Sequence, residues 1–159
     1  MRWTADSKSR KPSCTRTGFG KRPAAWVPPS TASTGAEYAG SRTVFGKPLS
    51  VNQAVQWPLA ELQTEAQMVR LLVQYAAWHL DRDHHMEVSD KVSMANYRAN
   101  RLVCDAADRA MQIFGGLGYS RHEPFEHIYR HHRRYRITEG AEEIQIRRVA
   151  QRLFKFGKK

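Results

Sequence analysis

The chain has 159 residues, 41% of them hydrophobic, and 26 Lys and Arg against 15 Asp and Glu give it a formal net charge of +11. That length suits one domain, with or without a tail, and excludes a large multidomain assembly within the chain itself. No apolar run approaches the ~20 residues of a membrane-spanning helix, and no apolar segment follows the early basic residues as a secretory signal requires. A soluble protein is expected, in the cytoplasm or in an organelle matrix. Cys14 and Cys104 lie in segments of different character, which fits free thiols in a reducing compartment.

The charge is uneven. Residues 1–50 hold nine Lys and Arg against two acids, and residues 51–159 hold seventeen against thirteen. A basic leading segment is usually solvated or phosphate-seeking, and it is not in itself a nucleic-acid domain.

Met1 to Gly35 is rich in Ser, Thr, Pro, Gly, Lys and Arg and shows no hydrophobic period. Pro23, Pro28 and Pro29 argue against a continuous helix there. The expectation is therefore a disordered basic tail over residues 1–35 and a folded domain over 36–159. Trp3, Phe19 and Trp26 are too scattered to close a core. Ala36 to Arg42 suits the last turns of a helix, and Phe45 to Leu49 suits a turn, because Gly46 and Pro48 both interrupt helix.

From about Asn52 to Asp81, Leu59, Leu62, Ala66, Val69, Leu72, Val73, Ala76 and Leu80 recur at intervals of three and four, one stripe of a long amphipathic helix. Pro58 stands near its start. A second long helix is predicted from about Val88 to Phe114, its many alanines implying close packing on a neighbour, and Gly115, Gly116 and Gly118 end it. A short helix over Glu123 to Arg130 and a last one from about Gly140 to Phe154 follow. In the last, Ile146, Val149 and Leu153 are expected to face inward, with Thr138 as N-cap. No strand pattern competes. The fold class is all-α, an up-and-down helical bundle.

Three segments resemble one family. EYAGSRTVFGKPLSVNQ, MQIFGGLGYSRHEPFEHIYR and ITEGAEEIQ are similar, in order and spacing, to motifs of the C-terminal domain of the FAD-dependent acyl-CoA dehydrogenases, with 27 residues separating Gln112 from Glu139. The resemblance covers about Ala36 to Phe156.

It implies that Glu139 is the base that takes the α-proton of an acyl-CoA thioester while the β-hydrogen leaves as hydride to FAD. Weak C–H acidity makes such chemistry depend on a desolvated carboxylate and a hydrogen-bonded thioester carbonyl. A glutamate at a helix mouth, followed by Gly140 on the substrate side, has main-chain N–H donors to offer that carbonyl. By the same resemblance Arg42 would contact the FAD pyrophosphate, often across a dimer interface, using its forked donors. Phe45 and Gln53 would line the adenine side, and Gln112, Gly115 and Gly116 a second FAD-contacting stretch. Ala141 and Glu143 would touch the flavin again. Two positions depart from the family: Ala141 stands where threonine is common, and Val44 replaces a more usual polar residue.

The partners so implied are an acyl-CoA substrate, an identical subunit in a homodimer or homotetramer, and an electron-transfer acceptor protein. The domains that precede this bundle in the family have no counterpart in the sequence, so a fragment or a frameshifted product is expected. No metal site is expected, because the pairs His84/His85 and His131/His132 lack a completing ligand set. The basic, aromatic run from Tyr129 to Arg136 suits a solvated, partly interfacial helix face more than nucleic acid. The alternative function is a non-catalytic bundle used for oligomerisation or DNA binding.

Overall fold

The computed structural model describes residues 27–83, 87–138 and 140–156. Among them run five helices: α1 (Val27–Ser41), α2 (Gln53–Leu80), α3 (Ser89–Phe114), α4 (Phe125–Arg133) and α5 (Glu142–Phe154). A two-residue antiparallel hairpin, β1 (Thr43–Val44) and β2 (Lys47–Pro48), joins α1 to a 3-10 turn at Leu49–Val51. A second 3-10 turn, Arg134–Arg136, follows α4. The helical bundle is the architecture expected from the sequence. The hairpin is not, and it takes the place of a simple turn.

α1 corrects the expected boundary at residue 35. It begins at Val27 and so supplies the helix that the proline-rich stretch seemed unable to form. Pro28 and Pro29 fall in its first turn, where the missing N–H groups have no intrahelical acceptor to lose. The remainder of the expected tail, including Cys14, Trp3, Phe19 and Trp26, lies outside the described residues.

α1 seats itself through small side chains. Thr31, Ala32, Gly35 and Ala39 are buried on one face, and a Cβ at Gly35 would lie 3.3 Å from Leu59 Cδ2 and 3.7 Å from Ile113 Cδ1. The helix therefore rests directly on α2 and α3.

α3 is the axis of the bundle and packs against α1, α2, α4 and α5. Its seam with α2 joins Leu62, Ala66 and Val69 to Leu102 and Ala106, with Val73 and Ala99 at the edges. Alanines at these positions let the helix axes approach closely. A second cluster holds Ala110, Phe114 and Phe125. There Tyr38 of α1 stacks on Phe114 at 3.9 Å, and Phe114 meets Phe125 at 4.8 Å, an aromatic chain that ties both short helices to the end of α3.

Asn52 caps α2, its Oδ1 accepting from Ala54 N at 2.9 Å. Pro58 removes the N–H that would otherwise bond the carbonyl of Ala54, four residues back. α5 differs from expectation in two ways. Its cap is Ala141, without a side-chain hydrogen bond, while the Thr138 hydroxyl turns back to donate to the Arg134 carbonyl at 3.2 Å. Its only buried residue is Gln145, and Ile146 and Leu153 are exposed. Gln145 and Glu142 face α3, and of the expected stripe Val149 is half-buried.

The turn after α3 depends on a close backbone approach. A Cβ at Gly118 would come within 2.7 Å of Phe114 Cβ and 2.9 Å of the Met111 carbonyl oxygen. Gly118→Ala is expected to cost roughly 1–3 kcal/mol, read as a lower midpoint in chemical denaturation with an unchanged slope. A midpoint equal to that of the unaltered chain would show that this turn yields.

Candidate functional site

The residues singled out from the sequence fall into two groups at different levels of α3. The first surrounds a groove of about 230 Å³ lined by Leu49, Ala54, Val55, Pro58, Arg109, Gln112 and Ile113. α2 and α3 are antiparallel, so the start of one meets the end of the other. Gln112 lines the groove itself, whereas Arg42, Phe45 and Gln53 come from the elements flanking it.

Arg42 is held by its backbone. Its N–H donates to the Tyr38 carbonyl at 2.9 Å, and its own carbonyl accepts from Leu49 N–H at 2.7 Å. The guanidinium is exposed and makes no ion pair among the described residues. Phe45 sits at the tip of the hairpin with φ 51° and a fully exposed ring, at 101% of its reference surface. A bulky residue in left-handed conformation costs of order 1–3 kcal/mol. Among the described residues the ring has no packing that repays that cost, and it is presented outward. Gly115 and Gly116 are exposed, and a Cβ on either would meet no atom within 4 Å.

The second group lies at the entrance of α5. Glu139 itself is outside the described residues. On its C-terminal side Gly140 adopts φ 96°, which disfavours any side chain, and a Cβ there would also press on Gln145 Nε2 at 3.0 Å. Gln145 is the buried tie. Its Nε2 donates to the Gly140 carbonyl at 3.3 Å, and its Oε1 accepts from the Ser93 hydroxyl of α3 at 2.8 Å. Glu143 is exposed in the first turn of α5 beside Ala141.

Glu142 is the electrostatic centre. Arg136 Nε and Nη2 donate to its two oxygens at 2.7 and 3.1 Å, and Arg101 Nε and Nη2 do so at 3.3 and 3.0 Å. The side chain is only 11% exposed. The hydrogen bonds from Arg136 first, and then those from Arg101, bring the Glu142 carboxyl down to about 2 from an ordinary 4.5. The same contacts raise both guanidiniums above the usual arginine range. Burial pushes up the thiol of Cys104, a free cysteine in the same region with Arg136 beside it.

Arg101 and Gln112 are eleven residues apart on α3, so the two groups are separated by about 16 Å along its axis. Among the described residues, one chain does not gather them into a single pocket. Sequence reasoning overlooked Ser93, Arg101, Arg136, Glu142 and Gln145. Glu142 and Gln145 were visible as part of ITEGAEEIQ, but their partners on α3 are 41 and 52 residues distant and leave no local signal. His131 and His132 lie with ring centroids 5.1 Å apart, and among the described residues no group of three or more His, Cys, Asp or Glu side chains could hold a metal ion. His84 and His85 are outside the described residues.

Residues 31–154 match the family model for the acyl-CoA dehydrogenase C-terminal domain. The chain belongs to the acyl-CoA dehydrogenase family. It is 37% identical over 118 residues to the short-chain specific acyl-CoA dehydrogenase, mitochondrial, of Bos taurus, an alignment covering 74% of this chain and 28% of that protein. The acyl-CoA dehydrogenase of Geobacillus kaustophilus superposes with a TM-score of 0.74 at 30% identity, over 82% of this chain and 34% of that one. The glutaryl-CoA complex of glutaryl-coenzyme A dehydrogenase gives 0.76 at 28%, over 84% and 34%. The chain thus spans about 30% of the length of the curated relatives it matches.

The acyl-CoA dehydrogenases are FAD-dependent oxidoreductases, and the first group holds residue types compatible with a dinucleotide. An unpaired guanidinium suits a pyrophosphate, an outward ring can stack on a nucleotide base, and unobstructed glycines leave room for its approach. These residues fit one wall of a dinucleotide site. No helix of this acyl-CoA dehydrogenase domain is long and apolar enough, among the described residues, to cross a membrane.

The lowered pKa of Glu142 has a definite sign. Its folded-state value lies below its ordinary one, so its stabilisation is complete above pH 4.5 and is lost as pH falls through about 2. Glu142→Gln lacks that contribution. The stability difference between the two proteins is expected to shrink by roughly 3 kcal/mol from near-neutral pH to about 2, measured by denaturant unfolding across that range. A difference that stays constant would mean the carboxylate is not held as described.

Proposed function

We propose that this chain acts as the C-terminal, flavin-facing wall of an acyl-CoA dehydrogenase, with Glu139 as the base that removes the α-proton of an acyl-CoA thioester. FAD, when bound, supplies the hydride acceptor. Arg42 would hold the pyrophosphate, Phe45 and Gln53 the adenine side, and Gln112, Gly115 and Gly116 the adjoining stretch of the nucleotide. Gly140 would lie against the thioester, with Ala141 and Glu143 beside the flavin. The missing threonine hydroxyl at Ala141 removes one hydrogen bond, a loss of roughly 0.5–1.5 kcal/mol in binding.

The observation that supports this reading best is the built entrance to α5. Gly140 needs its φ of 96° and Gln145 ties its carbonyl to α3, so the residues flanking position 139 are fixed by backbone geometry and buried polar contacts. Ile144 and Gln145 N–H donate to the Ala141 carbonyl at 2.8 and 3.2 Å, which leaves the N–H groups of Glu142 and Glu143 for a developing enolate oxygen. The exposed ring of Phe45 and the 16 Å between the two groups support a dinucleotide shared between copies of the chain, and hence a homodimer or homotetramer. Exposed Trp57, Leu71, Tyr75 and Trp78 on α2 supply apolar surface for such an assembly. An electron-transfer protein would then reoxidise the flavin.

The test uses the purified chain, alone and with the preceding domains of a related acyl-CoA dehydrogenase supplied in trans. FAD binding is followed by absorbance and flavin reduction by bleaching on addition of acyl-CoA. Glu139→Gln is expected to keep FAD bound but to slow reduction roughly 10²–10⁴-fold. Arg42→Ala is expected to weaken FAD binding roughly 10–100-fold, the loss of a charge-assisted contact. Reduction at an undiminished rate in Glu139→Gln would remove the base from this account.

A further inference from the structure

We propose that Glu142 is a positioning residue for Glu139: by gripping Arg136, three residues before that position, and Arg101 on α3, its carboxylate holds the residues on either side of it. This inference rests on the reading of Glu139 as the base and adds to it a device that sets where that base stands.

A carboxylate in the first turn of a helix gains from the unpaired N–H groups there and needs no arginine to do so. Glu143, in the same turn, is exposed and makes no ion pair among the described residues. Glu142 is treated differently. Both its oxygens are shared by two forked guanidiniums, through four contacts between 2.7 and 3.3 Å. Two forks on one carboxylate fix its plane as well as its position. The side chain is also shielded, at 11% exposure, so the interaction is not a screened surface pair.

The sequence positions of the partners matter more than their number. Arg136 ends the 3-10 turn and Glu142 opens α5, so the pair brackets a stretch that is neither. An ion pair spaced like this stabilises no helix of its own. It ties the end of the 3-10 turn to the start of α5, and Arg101 anchors that tie to the most buried helix of the bundle. Gln145 makes a second closure by joining the Gly140 carbonyl to Ser93, and Thr138 makes a third through the Arg134 carbonyl. Each tie includes a residue within three positions of 139 in the sequence. Closing the ends of a short segment removes conformations that would carry its central side chain away from a fixed target.

Amide hydrogen exchange on the full chain tests the closure without any cofactor. In Glu142→Gln and in Arg136→Lys, which keeps the charge but loses the fork, exchange in a peptide covering residues 137–141 is expected to rise tenfold or more, while peptides from Leu102 to Ala110 keep their rates. Unchanged exchange at 137–141, or an equal rise along the whole chain, would overturn the proposal. The functional readout is flavin reduction with the preceding domains supplied in trans. Glu142→Gln should lower the limiting rate about tenfold at an unchanged half-saturating acyl-CoA concentration, and Glu142→Asp should recover part of it. A loss confined to half-saturation, or no recovery with Asp, would count against positioning. Glu139→Gln separates the two ideas. If it leaves reduction intact the base assignment fails, whereas the exchange data still decide whether Glu142 holds the turn.

Discussion

α3 must touch four other helices at once, and the rest of the structure follows from how that is made possible. Helix axes come this close only where side chains are small. Along α3, Ser93, Ala95, Cys104, Ala106, Ala107 and Ala110 are buried, with Leu102 and Val103 filling the remaining depth. The same solution appears on α1, where Thr31, Ala32, Gly35 and Ala39 make the contact face. A larger residue on these faces would push a helix outward and move whatever its ends carry. α3 is therefore both the core and a ruler. It sets the interval of about 16 Å between the groove at Gln112 and the ion cluster at Arg101.

The charges divide along the same lines. The basic excess is large, yet the arginines nearest the entrance of α5 are held by carboxylates: Arg101 and Arg136 converge on Glu142, and Arg98 pairs with Glu65 across the α2–α3 seam. Arg42, at the opposite end of the bundle, has no such partner among the described residues. An arginine paired to a fixed carboxylate holds structure, while one facing water is free to meet a phosphate. That contrast distinguishes the two groups more sharply than residue type does, since both are built from arginines, glutamines and glycines.

Much of the bundle was legible from spacing. The long stripes of α2 and α3 have the 3.6-residue period, and the observed helices begin and end within about a residue of the predicted ones. Only the last turns of α1 were legible, because its contact face is built from small residues that carry no hydrophobic signal and because two prolines stand in its first turn. The short hairpin was also missed, since two-residue strands are below any alternation pattern. Of the candidate site, the motif residues could be named but not their supports. Ser93 and Arg101 look like ordinary positions on a polar helix face until the fold sets them against Gln145 and Glu142.

The partly exposed stripe of α5 shows what amphipathicity measures. Ile146, Val149 and Leu153 form a stripe, and a stripe predicts that some surface will be covered. It does not say which. α5 meets α3 through the buried side chain of Gln145 and the shielded carboxylate of Glu142. Both are polar groups whose contacts are directional, and direction, not area, sets the rotation of the helix about its axis. Once those contacts are satisfied, Ile144, Ile146, Leu153 and Phe154 are left on the outside. Apolar surface left in water costs roughly 25 cal/mol per Å² relative to burial. The two forks on Glu142 and the Ser93–Gln145–Gly140 chain must offset that cost for the chain by itself, so the orientation of α5 is decided by the contacts that hold the entrance of the helix in place.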